Sequence, residues 1–249
     1  MNYIEEFANY SPPLVLLHIP KTAGQALIVS LLKNYSPSDS LALYLPPDPV
    51  EGFEYQLGST KAPRFIAGHF SYGVPERVVG MMAYRYITFL RHPYARIISQ
   101  YLFDRDYFFN STLEFEQTTK EQIFSIEPVT FINENNLVTY DNFMTRMVSG
   151  IGSSIPLGGI DSAVLEMAKT NLSKFFFIGF QEHYADSVEK MGGKLGIKLK
   201  ENQKNKVRAD LLNEVMNDDI IKKISKPSDR NIFDLQLYYW ALQNFYLRK

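Results

Sequence analysis

Apolar residues cluster in four short stretches whose length and bulk predict strands: Leu14–Ile19, Arg64–His69, Tyr84–Leu90 and Lys174–Phe180. Between and after them the apolar spacing changes to that of helices. Ala26, Leu27, Leu31 and Leu32 follow the first stretch. Ala95, Ile98, Tyr101 and Leu102 form a stripe behind Pro93, a residue suited to a first helical turn. Further helices are predicted over Asp141–Ser149, over Asp161–Asn171 with Asp161 as its cap, over Gln181–Met191 and over Asn231–Leu247. Residues 36–63 hold Pro37, Pro46, Pro47, Pro49 and Pro63 and read as an irregular connection. Residues 104–140 have weaker periodicity and read as a mostly helical insertion over the site, and 150–159 form a glycine-rich loop. No repeat or low-complexity tract interrupts this order. Strands interleaved with helices predict a P-loop-like α/β fold in a single domain, 1–249, with a mainly parallel sheet flanked by helices.

On such sheets ligands bind beyond the carboxyl ends of the strands. There the polar residues gain interest. After Leu14–Ile19 come Pro20, Lys21, Thr22, Ala23 and Gly24, a turn of small residues around one cation that leads into a helix. Strand, small loop and helix start together make a phosphate site, because backbone N–H groups and the helix dipole favour an anion there. The Walker order G-x-x-x-x-G-K-[ST] is absent: the lysine precedes the glycine, and nothing evident positions a magnesium ion. His69 and Arg91 stand at the ends of the next two predicted strands, so Lys21, His69 and Arg91 are expected to converge. Arginine grips phosphate with paired hydrogen bonds, and an imidazole with a pKa near about 6.5 accepts a proton at neutral pH.

The segment His-Ile-Pro-Lys-Thr-Ala-Gly, 18–24, resembles the 5′-phosphosulfate loop of sulfotransferases that use 3′-phosphoadenosine 5′-phosphosulfate (PAPS). Within that family it is most similar to the branch of heparan sulfate 2-O-sulfotransferase and its bacterial relatives. The segment 89–101, with Arg91 followed eight residues later by Ser99, resembles the family's 3′-phosphate motif. Segments 141–150, 175–183 and 234–238 also resemble family segments. The resemblance implies Lys21 and His69 as the catalytic pair, His69 being the general base. It implies Thr22, Ala23, Gly24, Gln25 and Ala26 around the 5′-phosphosulfate, Arg91 and Ser99 on the 3′-phosphate, and Arg208 or Lys206 from a closing loop. Relatives carry Thr-Ser where Gln25 and Ala26 stand, so one or two hydroxyl donors are lost here while the backbone donors remain. Asn142, Thr145 and Arg146 face the acceptor by resemblance alone. Arg96 is either a further phosphate contact or one half of a surface ion pair. The implied activity is in-line, metal-independent transfer of a sulfuryl group from PAPS to a hydroxyl of a sugar, secondary metabolite or other small molecule.

Composition narrows the partners. The chain has 249 residues and a formal net charge of −1, which gives no electrostatic case for nucleic acid or a membrane surface. No apolar run approaches the roughly 18 residues of a membrane helix. The absence of cysteine excludes disulfides, thiolate metal sites and thiol nucleophiles. No two histidines show metal-ligand spacing. Without a signal-like start the chain resembles a cytoplasmic bacterial enzyme, with the Golgi lumen as the alternative for a chain cut from its anchor. His18 is expected to be packed, His92 to shape its loop and His183 to be exposed. The basic run 198–208 reads as a solvated face or a nucleotide-closing loop. Tyr101, Phe103, Tyr107, Phe108 and Phe109 read either as packing for the insertion or as the lining of an apolar acceptor pocket. Two other functions stay open on the residues: a nucleotide kinase or NTPase with a variant loop, and a non-catalytic nucleotide-binding protein. Oligomeric state is not encoded in any of these features.

Overall fold

Every residue of Leu14–Leu17 (β1) is buried, as expected of a strand covered on both faces. A computed structural model of the chain describes residues 12–36, 39–43, 63–79, 83–110, 128–134, 136–199 and 230–248. Around β1 stand Ser40–Leu43 (β2), Phe65–Gly68 (β3), Arg85–Leu90 (β4) and Phe177–Phe180 (β5). The five strands form one sheet in the order β2-β3-β1-β4-β5, and every neighbouring pair is parallel. The helices are Gly24–Leu31 (α1), Val74–Val79 (α2), Pro93–Asn110 (α3), Pro128–Glu134 (α4), Phe143–Ser149 (α5), Ser162–Leu172 (α6), Tyr184–Leu195 (α7) and Ile232–Ala241 (α8). A π-helical segment, Leu242–Leu247, prolongs α8.

Alternate strand residues divide between two cores. Val15, Leu17, Ile66, Tyr86, Leu90, Ile178 and Phe180 pack with Met144, Val148, Leu165 and Leu237 from α5, α6 and α8. Leu14, Leu16, Phe65, Ala67, Ile87 and Phe89 pack on the other face with Leu27 and Leu31 of α1 and Val188 and Met191 of α7. A third cluster joins α3 to α4 through Ile97, Ile98, Tyr101, Phe131 and Ile132. Asp161 caps α6 as predicted, accepting the Val164 N–H at 3.0 Å.

One expectation changes. The connection over 36–63 contains β2, which pairs Ser40 with Phe65 and Leu43 with Gly68. Four residues, only two of them bulky and apolar, set between Pro37 and Pro46 hide an edge strand from a search for apolar runs. Of the insertion over 104–140, the described parts are helical in α3 and α4 and in the turn Val138–Tyr140. The remainder lies outside the described residues.

The C-terminal helix is locked to the middle of the chain by reciprocal caps. Asp234 accepts the Met144 and Thr145 N–H groups at 3.0 and 2.7 Å, at the start of α5. Asn142 accepts the Phe233 and Asp234 N–H groups at 2.9 and 3.1 Å, at the start of α8. Two of the orphan donors at each helix start are therefore satisfied by a side chain of the other.

Candidate active site

β3, β1 and β4 are the three central strands, and Lys21, His69 and Arg91 follow their carboxyl ends. The chain places β2 and β3 on one side of β1 and then crosses to β4 and β5 on the other, so this is also the switch point where α/β folds bind ligands. The Thr88 hydroxyl donates to the Leu17 carbonyl at 2.8 Å and ties β4 to the last residue of β1. One turn further, Arg91 Nη1 donates to the Lys21 carbonyl at 3.0 Å. The cation expected on one phosphate thus holds the loop expected on the other.

That loop has the backbone form of an anion nest. Lys21 and Ala23 both take left-handed backbone with φ of 69°, and Thr22 between them does not. Alternation of this kind turns successive N–H groups toward one concavity. For non-glycine residues it costs about 1–3 kcal/mol each, a strain typical of functional loops. Ala23 is also the N-cap of α1 and gives it no side-chain bond, so the N–H groups of Gly24, Gln25 and Ala26 have no acceptor within the helix. The Thr22 hydroxyl donates inward to the Ile19 carbonyl at 2.7 Å. Its proton is spent on shaping the loop, and Thr22 offers an anion only its backbone. Gln25 is exposed and Ala26 half-buried.

His18 sets the floor of the loop. A Cβ on Gly24 would lie 2.0 Å from the His18 ring, so only glycine fits there. The His18 ring in turn meets the His69 ring at a centroid distance of 4.5 Å. His69 Nδ1 stands 2.7 Å from the His18 carbonyl oxygen. A carbonyl only accepts, so Nδ1 carries the proton and the lone pair of His69 is on Nε2. Burial lowers the His69 pKa, the bond to His18 opposes that shift, and the Lys21 charge adds to it. Burial, His69 and Lys21 hold His18 well below the ordinary histidine range. The Lys21 amine itself lies over the Phe103 ring, 4.1 Å from its centre, and that ring is half exposed.

Arg91 and Ser99 are buried, and Arg91 Nε and Ser99 Oγ have no hydrogen-bond partner among the described residues. Buried polar atoms left unpaired are costly and rare. Burial lowers the Arg91 pKa, opposed by the charge of Glu182 and reinforced by Arg96. Arg96 is not at the surface: it is fully buried, donates through Nη2 to the Thr139 carbonyl, and sets its guanidinium 5.6 Å from the Phe143 ring.

Three residues expected to face an acceptor do not. Arg146 donates to Asp141 O, Asp141 Oδ2, Gly152 O, Ile155 O and Pro156 O, between 2.5 and 2.8 Å, and so folds the glycine-rich loop around itself. Asn142 and Thr145 serve the helix caps. Tyr101 packs on Phe131. Arg208, Lys206 and most of the basic run, with the side chains of Tyr107, Phe108 and Phe109, lie outside the described residues. Sequence reasoning missed Glu182. Its Oε1 accepts the His92 N–H at 2.7 Å and its Oε2 accepts the Tyr238 hydroxyl at 3.0 Å. Among the described residues no group of acidic, histidine or cysteine side chains is arranged to hold a metal ion.

A model of the sulfotransferase family matches residues 8–241. The chain belongs to the sulfotransferase family. It is an enzyme of sulfuryl transfer. The match shows the family and does not single out the heparan sulfate 2-O-sulfotransferase branch. Among solved structures, the mouse sulfotransferase SULT7A1 complexed with PAP aligns over 94% of this chain and 85% of its own, at 14% identity and a TM-score of 0.47. Among curated proteins none matches this sulfotransferase by sequence.

Proposed function

We propose that this sulfotransferase moves the sulfuryl group of PAPS to a hydroxyl of a sugar or small metabolite, in line and without a metal ion. The observation that carries the reading is the bond from Arg91 to the Lys21 carbonyl, flanked by Arg91 Nε and Ser99 Oγ, which have no partner among the described residues. An anion nest on one side and buried, unspent phosphate donors on the other suit a nucleotide with phosphates at both its 5′ and 3′ positions. The nest N–H groups of 22–26 hold the 5′-phosphosulfate, and Arg91 with Ser99 holds the 3′-phosphate. As the acceptor oxygen bonds to sulfur, its proton passes to His69 Nε2. The bond from sulfur to the bridging oxygen breaks, and the leaving 3′-phosphoadenosine 5′-phosphate gains negative charge on that oxygen. Lys21 stabilises this charge electrostatically.

The reading is tested by incubating the enzyme with labelled PAPS and a panel of sugar and small-molecule alcohols. Label is expected on an alcohol, at a rate unchanged by EDTA. Silence across the panel, with tighter binding of magnesium ATP than of 3′-phosphoadenosine 5′-phosphate, favours the kinase alternative and sinks this one.

The pH profile tests the base. His69 must be neutral to accept a proton, and burial lowers its pKa from 6.5. Activity therefore stays on its plateau down through pH 6.5 and falls only as the lowered pKa is crossed. His69→Ala is expected to reduce kcat by about 10²–10⁴-fold and to remove that acid limb. His18 acts on stability in the same direction. Its folded pKa is depressed, so its contribution is complete above 6.5 and is lost as pH falls below it. Rates are therefore compared at pH values where the folded fraction, followed by circular dichroism, is constant.

A further inference from the structure

The end of the edge strand β5 also carries a charged residue. β5 lies beside β4 with Phe180 opposite Leu90, so Gln181–His183 and Arg91–His92 leave the sheet side by side. Glu182 spans the gap. One carboxylate oxygen holds the His92 N–H at 2.7 Å, directly before the first residue of α3. The other holds the hydroxyl of Tyr238, a buried residue of α8, at 3.0 Å. Around the same turn the His92 ring meets Tyr94, Tyr238 and Tyr239 edge-on at 5.5, 5.5 and 6.0 Å. The Ser187 hydroxyl accepts the Phe180 N–H and donates to the Phe180 carbonyl, which ties the end of β5 to α7.

This arrangement is selective about what it uses. Glu182 lies near enough for Arg91 to feel its charge, yet both of its oxygens are committed elsewhere. A carboxylate paired bidentately with Arg91 would consume the donors a phosphate needs. Here the anion fixes the backbone from which Arg91 projects and leaves Arg91 Nε unspent.

We infer that Glu182 is a positioning residue for Arg91: by pinning the Arg91–His92 turn to α8 it sets the grip on the 3′-phosphate, and so the preference for 3′,5′-bisphosphorylated over 5′-phosphorylated adenosine. The inference rests on the assignment of Arg91 to the 3′-phosphate. Its readout is the ratio of affinities for 3′-phosphoadenosine 5′-phosphate and 5′-AMP, measured by calorimetry on the full chain. A loss of general stability weakens both nucleotides and leaves the ratio alone.

Glu182→Ala is expected to weaken the bisphosphate about 10- to 30-fold and AMP less than about twofold, as for loss of a charged hydrogen-bonding partner. Glu182→Gln keeps an acceptor for the His92 N–H but not the charge, and the ratio should fall about threefold. Tyr238→Phe releases one carboxylate oxygen and should shift the ratio the same way by up to about threefold. Should the alanine variant fail to fold, the other two decide. A ratio unchanged in the folded variants overturns the role of Glu182. If Arg91→Ala also leaves the ratio unchanged, the 3′-phosphate assignment itself is wrong. If Arg91→Ala collapses the ratio and the Glu182 variants do not, only the positioning role fails.

Discussion

Lys21→Ala is expected to lower kcat by about 10³-fold, close to 4 kcal/mol of transition-state stabilisation, while the affinity for 3′-phosphoadenosine 5′-phosphate falls less than about tenfold. The asymmetry follows from what the side chain and the backbone of this residue each do. The backbone of Lys21 shapes the nest, and its carbonyl accepts the Arg91 bond. Neither is removed by truncating the side chain. The amine, by contrast, meets charge that develops only as the bridging oxygen departs, and that interaction raises kcat rather than binding. Lys21→Arg keeps the charge on a bulkier, planar head and is expected to recover only part of the rate. Single-turnover measurement of sulfuryl transfer, beside calorimetry of the product nucleotide, separates the two quantities. A variant that loses affinity and rate in equal proportion would mean that the amine binds ground state and transition state alike.

Arg91→Ala carries the other large effect, and it falls on binding. Two charged hydrogen bonds to a phosphate, at about 1.5–3 kcal/mol each, correspond to a loss of about 10²–10⁴-fold in affinity for the bisphosphate. Affinity for 5′-AMP should change by less than about fivefold, because the nest is built from backbone. A second, smaller consequence comes from the bond to the Lys21 carbonyl. Without it the strained loop loses a tether, and kcat at saturating PAPS should fall about tenfold. Arg91→Lys should restore little, since one ammonium cannot reach the carbonyl and grip a phosphate in a fixed fork. Affinity for the two nucleotides falling in parallel would place the 3′-phosphate elsewhere.

Much of this site was legible because its chemistry stands where strands stop. Lys21, His69 and Arg91 each follow a run of buried apolar residues, and the parallel order of β3, β1 and β4 brings those ends together. Glu182 follows the fifth strand by the same logic, but a glutamate before a helix looks like ordinary first-turn acid. Only its partners, His92 and Tyr238, distinguish it. The edge strand β2 escaped because Ser40–Leu43 is short and bounded by prolines. The acceptor role expected for Asn142, Thr145 and Arg146 failed for a different reason. Polar residues in a family-like segment look the same whether they face solvent or a helix end; here Arg146 and Asn142 satisfy backbone groups and the Thr145 hydroxyl donates to the Asp234 carboxylate. The Thr22 hydroxyl and the His69 tautomer depend on single carbonyl oxygens, Ile19 and His18, whose direction no side-chain pattern records.

The caps exchanged by Asn142 and Asp234, like the Tyr238 bond to Glu182, join residues far apart along the polypeptide. Such contacts form only after a long loop has closed, and closing it costs entropy before any bond repays it. The sheet itself pairs strands over comparable separations, Leu14 with Phe65 and Arg85, and Ile87 with Phe177. Refolding from denaturant should therefore be slow, with sheet and last helix gaining structure together rather than by local steps. Nucleotide affinity, which needs the ends of three strands, would return only with that final assembly, making ligand binding a late reporter of folding in this protein.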